Sequence, residues 1–155
     1  MAIYNWEVET SMATFDLIAR TLDEQQQWMA EHTGAYPCLV AEASSDEGLL
    51  DGTVVGFGSL SPYRNRPAYS TTVENSVYVD RSARGRGVAR QLLADLIAAA
   101  KTQGFHTIIA RITGDNGTSV TLHESQGFIL VGIEREVGRK HGRWLDVIEL
   151  QLLLD

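Results

Sequence analysis

Arg81, Arg84, Arg86 and Arg90 fall within ten positions of this 155-residue chain, interleaved with Gly85 and Gly87. An apolar segment of helical period begins at Val88. Cationic side chains, glycines that allow close backbone approach and the free N–H groups of a helix start together suit a polyphosphate. Two nucleotide loops are excluded by residue type. No Gly-Lys-Ser/Thr ending is present, and Arg90 stands where a dinucleotide fingerprint needs its third glycine. What remains is an R-x-x-G-x-A pattern: Arg84, Gly85, Arg86, Gly87, Val88 and Ala89. Its N–H groups would converge on the first helical turn. Alone, the same residues also describe a solvated turn that caps a helix.

Other residues could act on a bound substrate. Asn116, Ser119 and His123 are spaced to share one face of a short helix, and a histidine can supply a proton near neutral pH. Glu74 follows Thr72 and Val73 in a β-rich run, where partial desolvation would raise its pKa toward that of a general base. Periodicity alone also fits an ordinary solvated glutamate. Arg64, Arg66 and Tyr69 lie just before it. A bidentate arginine suits a carboxylate or a phosphinate-like oxygen pair, although arginines in a Pro-containing loop are also ordinary surface residues. Cys38 stands beside Leu39 and Val40 and reads as a small buried residue without a nearby base. No His/Cys/Asp cluster has metal-ligand spacing, so no metal is expected.

These residues need a frame. Residues 2–8 read as a short strand. Residues 14–31 are helical in pattern, with Phe15, Leu17, Ile18, Leu22 and Trp28 as core contacts and a break at Thr21 to Asp23, the second piece capped by Asp23. Strands are expected over 36–42 and 53–61, joined by a polar turn ending in Asp51 and Gly52. A loop over 61–68 leads to a strand over 69–79. There Val73, Val77 and Val79 share one face, and Glu74, Ser76 and Tyr78 the other. A helix over 88–103 ends at Gly104, followed by a buried strand over 106–112 and a short helix over 118–126. Strands over 128–137 and 144–153 close the chain. The apolar phase of the last slips between Val147 and Ile148, which implies a bulge or burial on both faces. The order gives an α/β class: a mixed sheet with helices on both faces, in a single domain over 1–155.

Composition narrows the partners. A formal charge of -7, with 44% hydrophobic and 21% charged residues, describes a globular protein without general nucleic-acid affinity. A lone cysteine permits no internal disulfide. No charged leader or membrane-length apolar run is evident, so a soluble cytoplasmic protein is expected.

The loop and its surroundings resemble the GCN5-related N-acetyltransferase (GNAT) superfamily, whose acyl-CoA pyrophosphate loop is Q/R-x-x-G-x-G/A after a central strand. The chain is further similar to the phosphinothricin / methionine sulfone N-acetyltransferase group. The pieces that carry this are Ala68-Tyr69, Thr72-Val73-Glu74, Ser76-Val77-Tyr78-Val79, the loop, His123-Glu124 with Gly127-Phe128, and residues 140–146 (KHGRWLD). They span the C-terminal two-thirds.

The resemblance implies a mostly antiparallel splayed sheet and direct acetyl transfer from acetyl-CoA to an amino-acid α-amine in a ternary complex. Methionine sulfone, methionine sulfoximine or phosphinothricin are the implied substrates. Glu74 would be the general base, directly or through water. Ser76 to Val79 would offer backbone groups to the acetyl and pantetheine moieties, with Val77 or Tyr78 at the acetyl oxygen. Arg84 to Ala89 would bind the pyrophosphate, and Asn116 with Ser119 the cofactor. His123, where a thiolate-protonating tyrosine is common, would give that proton or bind substrate. Arg64, Arg66 and Tyr69 would hold substrate, and a homodimer is implied. Two other readings stay open: a GNAT enzyme for protein N-termini or another small amine, and a non-catalytic acyl-CoA-binding module.

Overall fold

A computed structural model describes residues 1–44 and 52–154. Six strands form one sheet in the order β1-β2-β3-β4-β6-β5. They are β1 (Cys38–Glu42), β2 (Val54–Pro62), β3 (Thr72–Val79), β4 (Thr107–Thr113), β5 (Ile129–Lys140) and β6 (Arg143–Leu153). Every neighbouring pair is antiparallel except β3 with β4. The helices are α1 (Ala2–Thr10), α2 (Leu22–Glu31), α3 (Val88–Thr102) and α4 (Gly117–Glu124). The expected Asp51-Gly52 hairpin signal lies partly outside the described residues, but β1 and β2 do pair antiparallel.

The α3 helix is the mainstay of the core. Leu92, Leu93, Leu96 and Ala100 repeat at helical spacing and are buried. Leu93, Leu96 and Ala100 join Leu60, Val73, Ile108, Ala110 and Leu150 of the sheet in one core. Each such leucine contributes roughly 1.5–3 kcal/mol. The close approach depends on Gly58, where an added Cβ would lie 2.8 Å from Leu96 Cδ1. Opposite this layer, Tyr4 of α1 packs edge-on against Tyr78 at 5.2 Å, and Phe57 stacks on Tyr78 at 5.2 Å. Arg20 covers both Tyr4 and Trp28.

The amino-terminal region departs from its sequence pattern. Residues 2–8 are not a strand but part of α1. The alternation of Tyr4, Trp6 and Val8 mimics a strand, yet the buried residues are Tyr4, Glu7 and Val8, which is helical spacing. No side chain caps α1 to announce it. Of the expected 14–31 helix, only α2 forms. It is capped by Thr21 rather than Asp23, in a capping box with Glu24. Phe15, Leu17, Ile18 and Leu22 are exposed rather than core, and Trp28 is half-buried. The phase slip in β6 is burial on both faces: its pairing with β4 is regular through Val147 and Ile148. Leu145 and Val147 are buried on one face, while Leu150 joins the α3 core on the other. The irregularities fall on β5 instead.

One buried cation ties the ends together. Lys140 is 2% exposed and donates from Nζ to the Thr14 carbonyl at 2.9 Å and the Glu7 carbonyl at 3.5 Å. Lys140→Met should therefore lower stability by about 1–3 kcal/mol, because two backbone carbonyls lose a charged donor. Denaturant unfolding measures this, and an unchanged midpoint would refute the anchoring role.

Candidate active site

The sheet opens at its one parallel pair. Register between β3 and β4 covers only Thr72 to Glu74 against Thr107 to Ile109. Beyond Glu74 the strands part, so Asn75 to Val79 have no strand partner on their β4 side. A cleft of about 580 Å³ fills the opening. Its walls include Val77, Tyr78 and Val79 of β3, Ser119 and His123 of α4 with its N-cap Asn116, and the Arg84 to Ala89 turn except Arg86. Apart from Arg86, the residues that the sequence offered for a cofactor thus line one cleft, and the strand splay that sequence cannot show is present.

The turn is built for a backbone grip. Asp80 accepts from the Ser82 N–H and hydroxyl, fixing the short turn before the loop. Gly85 and Gly87 have φ of 76° and 83°, a region that L side chains rarely adopt. Nothing lies within 4 Å of a Cβ at either, so it is φ rather than space that calls for glycine. Gly87 is the N-cap of α3 and has no capping side chain. The first N–H groups of α3 therefore meet the cleft uncapped, at the positive end of the helix dipole.

Arg84 lies across the mouth. Its guanidinium pairs with Glu7, and its Nε donates to the Val79 carbonyl at 3.3 Å. Glu7 is 3% exposed and also accepts from the Ser11 hydroxyl. Glu7, Ser11, Met12 and Ala13 form a cleft wall that sequence reading missed, because 2–8 looked like a strand. Arg90, which the sequence placed only in the basic cluster, also lines the cleft.

Glu74 stands at the vertex of the splay, on the Tyr78 face. Burial pushes its carboxyl above the ordinary value, the nearby Arg111 opposes this, and Glu149 adds to it. Arg111 had no sequence signal. It comes from β4 and pairs with Glu134 of β5 at 2.6 Å. Arg111→Met should raise the Glu74 pKa further, since an opposing cation is lost. Read as the proposed general base, Glu74 must be ionised to act, so the acid limb of the rate profile should move to higher pH, with more activity lost at acid than at alkaline pH. A pH–kcat/KM series reads this, and a limb moving downward would count against it.

The expected substrate residues are less assembled. Arg64 sits 4.8 Å from the Tyr63 ring centre and 5.9 Å from that of Tyr69. Tyr69 ends a short turn, Pro67–Tyr69, just before β3. They share the Glu74 end of the strand, but neither they nor Arg66 line the cleft. Among the described residues no group of three metal-ligating side chains exists, and no helix is long and apolar enough to cross a membrane.

Comparison with known proteins gives one family. The acetyltransferase (GNAT) family model matches residues 1–128. An L-methionine sulfoximine/L-methionine sulfone acetyltransferase from Pseudomonas paraeruginosa is 38% identical, covering 100% of this chain and 87% of the relative. A phosphinothricin N-acetyltransferase from Streptomyces coelicolor is 40% identical over 94% of this chain and 83% of its own length. The crystal structure of a phosphinothricin acetyltransferase from Sinorhizobium meliloti with acetyl-CoA superposes with a TM-score of 0.92 and 36% identity, over 99% of this chain and 80% of that one. With its splayed sheet and glycine-arginine turn, the chain belongs to the acetyltransferase (GNAT) family.

Proposed function

We propose that this acetyltransferase moves an acetyl group from acetyl-CoA to the α-amine of a small amino acid, with methionine sulfone, methionine sulfoximine and phosphinothricin as the substrate class. The observation that carries the reading is the cleft: a splayed strand edge on one side and an uncapped helix start on the other. The thioester of acetyl-CoA would supply the activated acetyl group.

This chain's residues fit that cosubstrate. The N–H groups of Gly85 to Ala89 face a diphosphate, with Arg84 and Arg86 adding charge. Val77, Tyr78 and Val79 offer main-chain groups to the acyl arm, and Asn116 and Ser119 close the far wall. Glu74 takes the proton that leaves the attacking amine, a step its raised pKa favours. Arg64, Arg66 and Tyr69 bind the oxygens of the tetrahedral sulfur or phosphorus at the side-chain end of the substrate beside it. Cys38 stands in β1, outside the cleft, which supports direct attack over an acetyl-enzyme. The site of action is the cytoplasm, where acetyl-CoA is made available.

Ile129, Leu130, Val131, Ile133 and Val137 are 43–63% exposed along the β5 edge. We assign this apolar edge to a homodimer contact, to be checked by light scattering after size exclusion. An amine panel read by CoA release tests the substrate class. Turnover of methionine sulfone well above that of N-terminal peptides supports the reading, and the reverse order overturns it.

A further inference from the structure

We propose that Asn75 is a positioning residue that holds His123 neutral with its ring proton on Nδ1, so that His123 clamps α4 to β3 and is not the proton donor to the CoA thiolate. The two side chains are 48 positions apart in sequence and meet in the splay, Asn75 Nδ2 lying 2.9 Å from His123 Nε2.

The protonation pattern follows from the partners. His123 Nδ1 is 2.8 Å from the Ser119 carbonyl oxygen. A carbonyl only accepts, so Nδ1 carries a proton. A second proton on Nε2 would make an imidazolium at a site only 4% exposed. Burial disfavours that charge, and no charged group acts on the ring to offset it. Around the ring are Asn75 of β3, Ser119 of its own helix, and Phe128, edge-on at 5.0 Å. Arg111 and Tyr78 are the other ionisable side chains among the described residues lining the adjoining 70 Å³ cavity; burial keeps the Tyr78 phenol neutral, and the Arg111 cation would oppose a second proton. Nε2 is therefore a lone pair, and Asn75 must present its N–H₂ to it.

That orientation has a consequence which is visible. Asn75 Oδ1 is buried without a protein partner, as is Thr113 Oγ1, and both residues line the same small cavity. Leaving a buried amide oxygen unpaired is unfavourable. The geometry accepts this at Oδ1 to satisfy the histidine. Both nitrogens of His123 are thus committed, one to its own helix and one to β3. Neither holds a proton that points into the cleft. The clamp fixes the cleft wall formed by Asn116 and Ser119.

The first test needs no activity. Histidine is labelled with ¹⁵N, and long-range ¹H–¹⁵N correlations are recorded with and without acetyl-CoA, His123 being assigned through His123→Gln. The expected pattern is neutral and Nδ1-protonated at neutral pH in both states. An Nε2–H tautomer or an imidazolium would overturn the proposal. Asn75→Asp places an acceptor opposite Nε2 and should draw in a second proton, giving an imidazolium signal at neutral pH. If Asn75→Asp leaves the ring neutral, Asn75 does not control it.

The kinetic arm rests on the acetyltransferase reading. His123→Gln should raise the acetyl-CoA KM several-fold and keep the alkaline limb of the kcat profile in place. Loss or displacement of that limb would restore His123 as the acid. The spectra stand even if the substrate class is wrong, so the two failures are distinguishable.

Discussion

Glu74→Gln should lower kcat by about 10²–10⁴-fold and leave acetyl-CoA affinity within about twofold. The amide keeps the shape of the side chain but cannot accept the amine proton. Two features set this expectation. Glu74 lies at the last paired position of β3, where the strands begin to part. Its carboxyl is raised by burial, which brings it closer to the task of removing a proton near neutrality. Cofactor binding should be spared because Glu74 is not among the residues lining the main cleft. The rate of the variant should also regain activity at high pH, where more of the substrate is already the free amine. Steady-state rates across pH, with affinity from calorimetry, check both parts. An undiminished rate would remove Glu74 from the chemistry, and an equal loss of affinity would make it a structural residue.

Gly87→Ala is the second large effect, and it acts on binding. At φ of 83° an alanine is strained by about 1–2 kcal/mol. The turn can relax only by rotating the first N–H groups of α3 away from the cleft. Acetyl-CoA affinity should fall about tenfold or more, while the α3 core, anchored by Leu92, Leu93 and Leu96, stays folded. The observable is a raised Kd with a nearly unchanged circular dichroism spectrum. Unchanged affinity would mean that the turn only caps a helix.

The glycine-arginine turn into α3 was legible for a local reason. A turn into a helix that needs two left-handed residues calls for glycine at Gly85 and Gly87, and sequence displays glycine directly. The strand through Glu74 and the face shared by Asn116, Ser119 and His123 were likewise set by short periods. What was hidden is non-local. Arg111 reaches the Glu74 side only because β3 and β4 are parallel neighbours with all of α3 between them in the chain. Asn75 meets His123 across the same crossover. The α1 wall was hidden for another reason. Its Tyr4, Trp6 and Val8 favour strands, it has no cap, and tertiary packing of Tyr4 against Tyr78 overrides that preference. The exposed Leu17 and Ile18 misled in the opposite direction, because apolar spacing does not reveal whether a segment has a core to face.

Isothermal titration of the folded protein with acetyl-CoA, and in parallel with S-acetylpantetheine, reads the contribution of the diphosphate together with the adenosine 3′-phosphate it carries. Backbone amides at the start of α3 should bind acetyl-CoA at one site per chain and the truncated thioester at least about a hundredfold more weakly, since several charge-assisted hydrogen bonds are lost. Equal affinity for the two, or no heat with acetyl-CoA, would contradict the account.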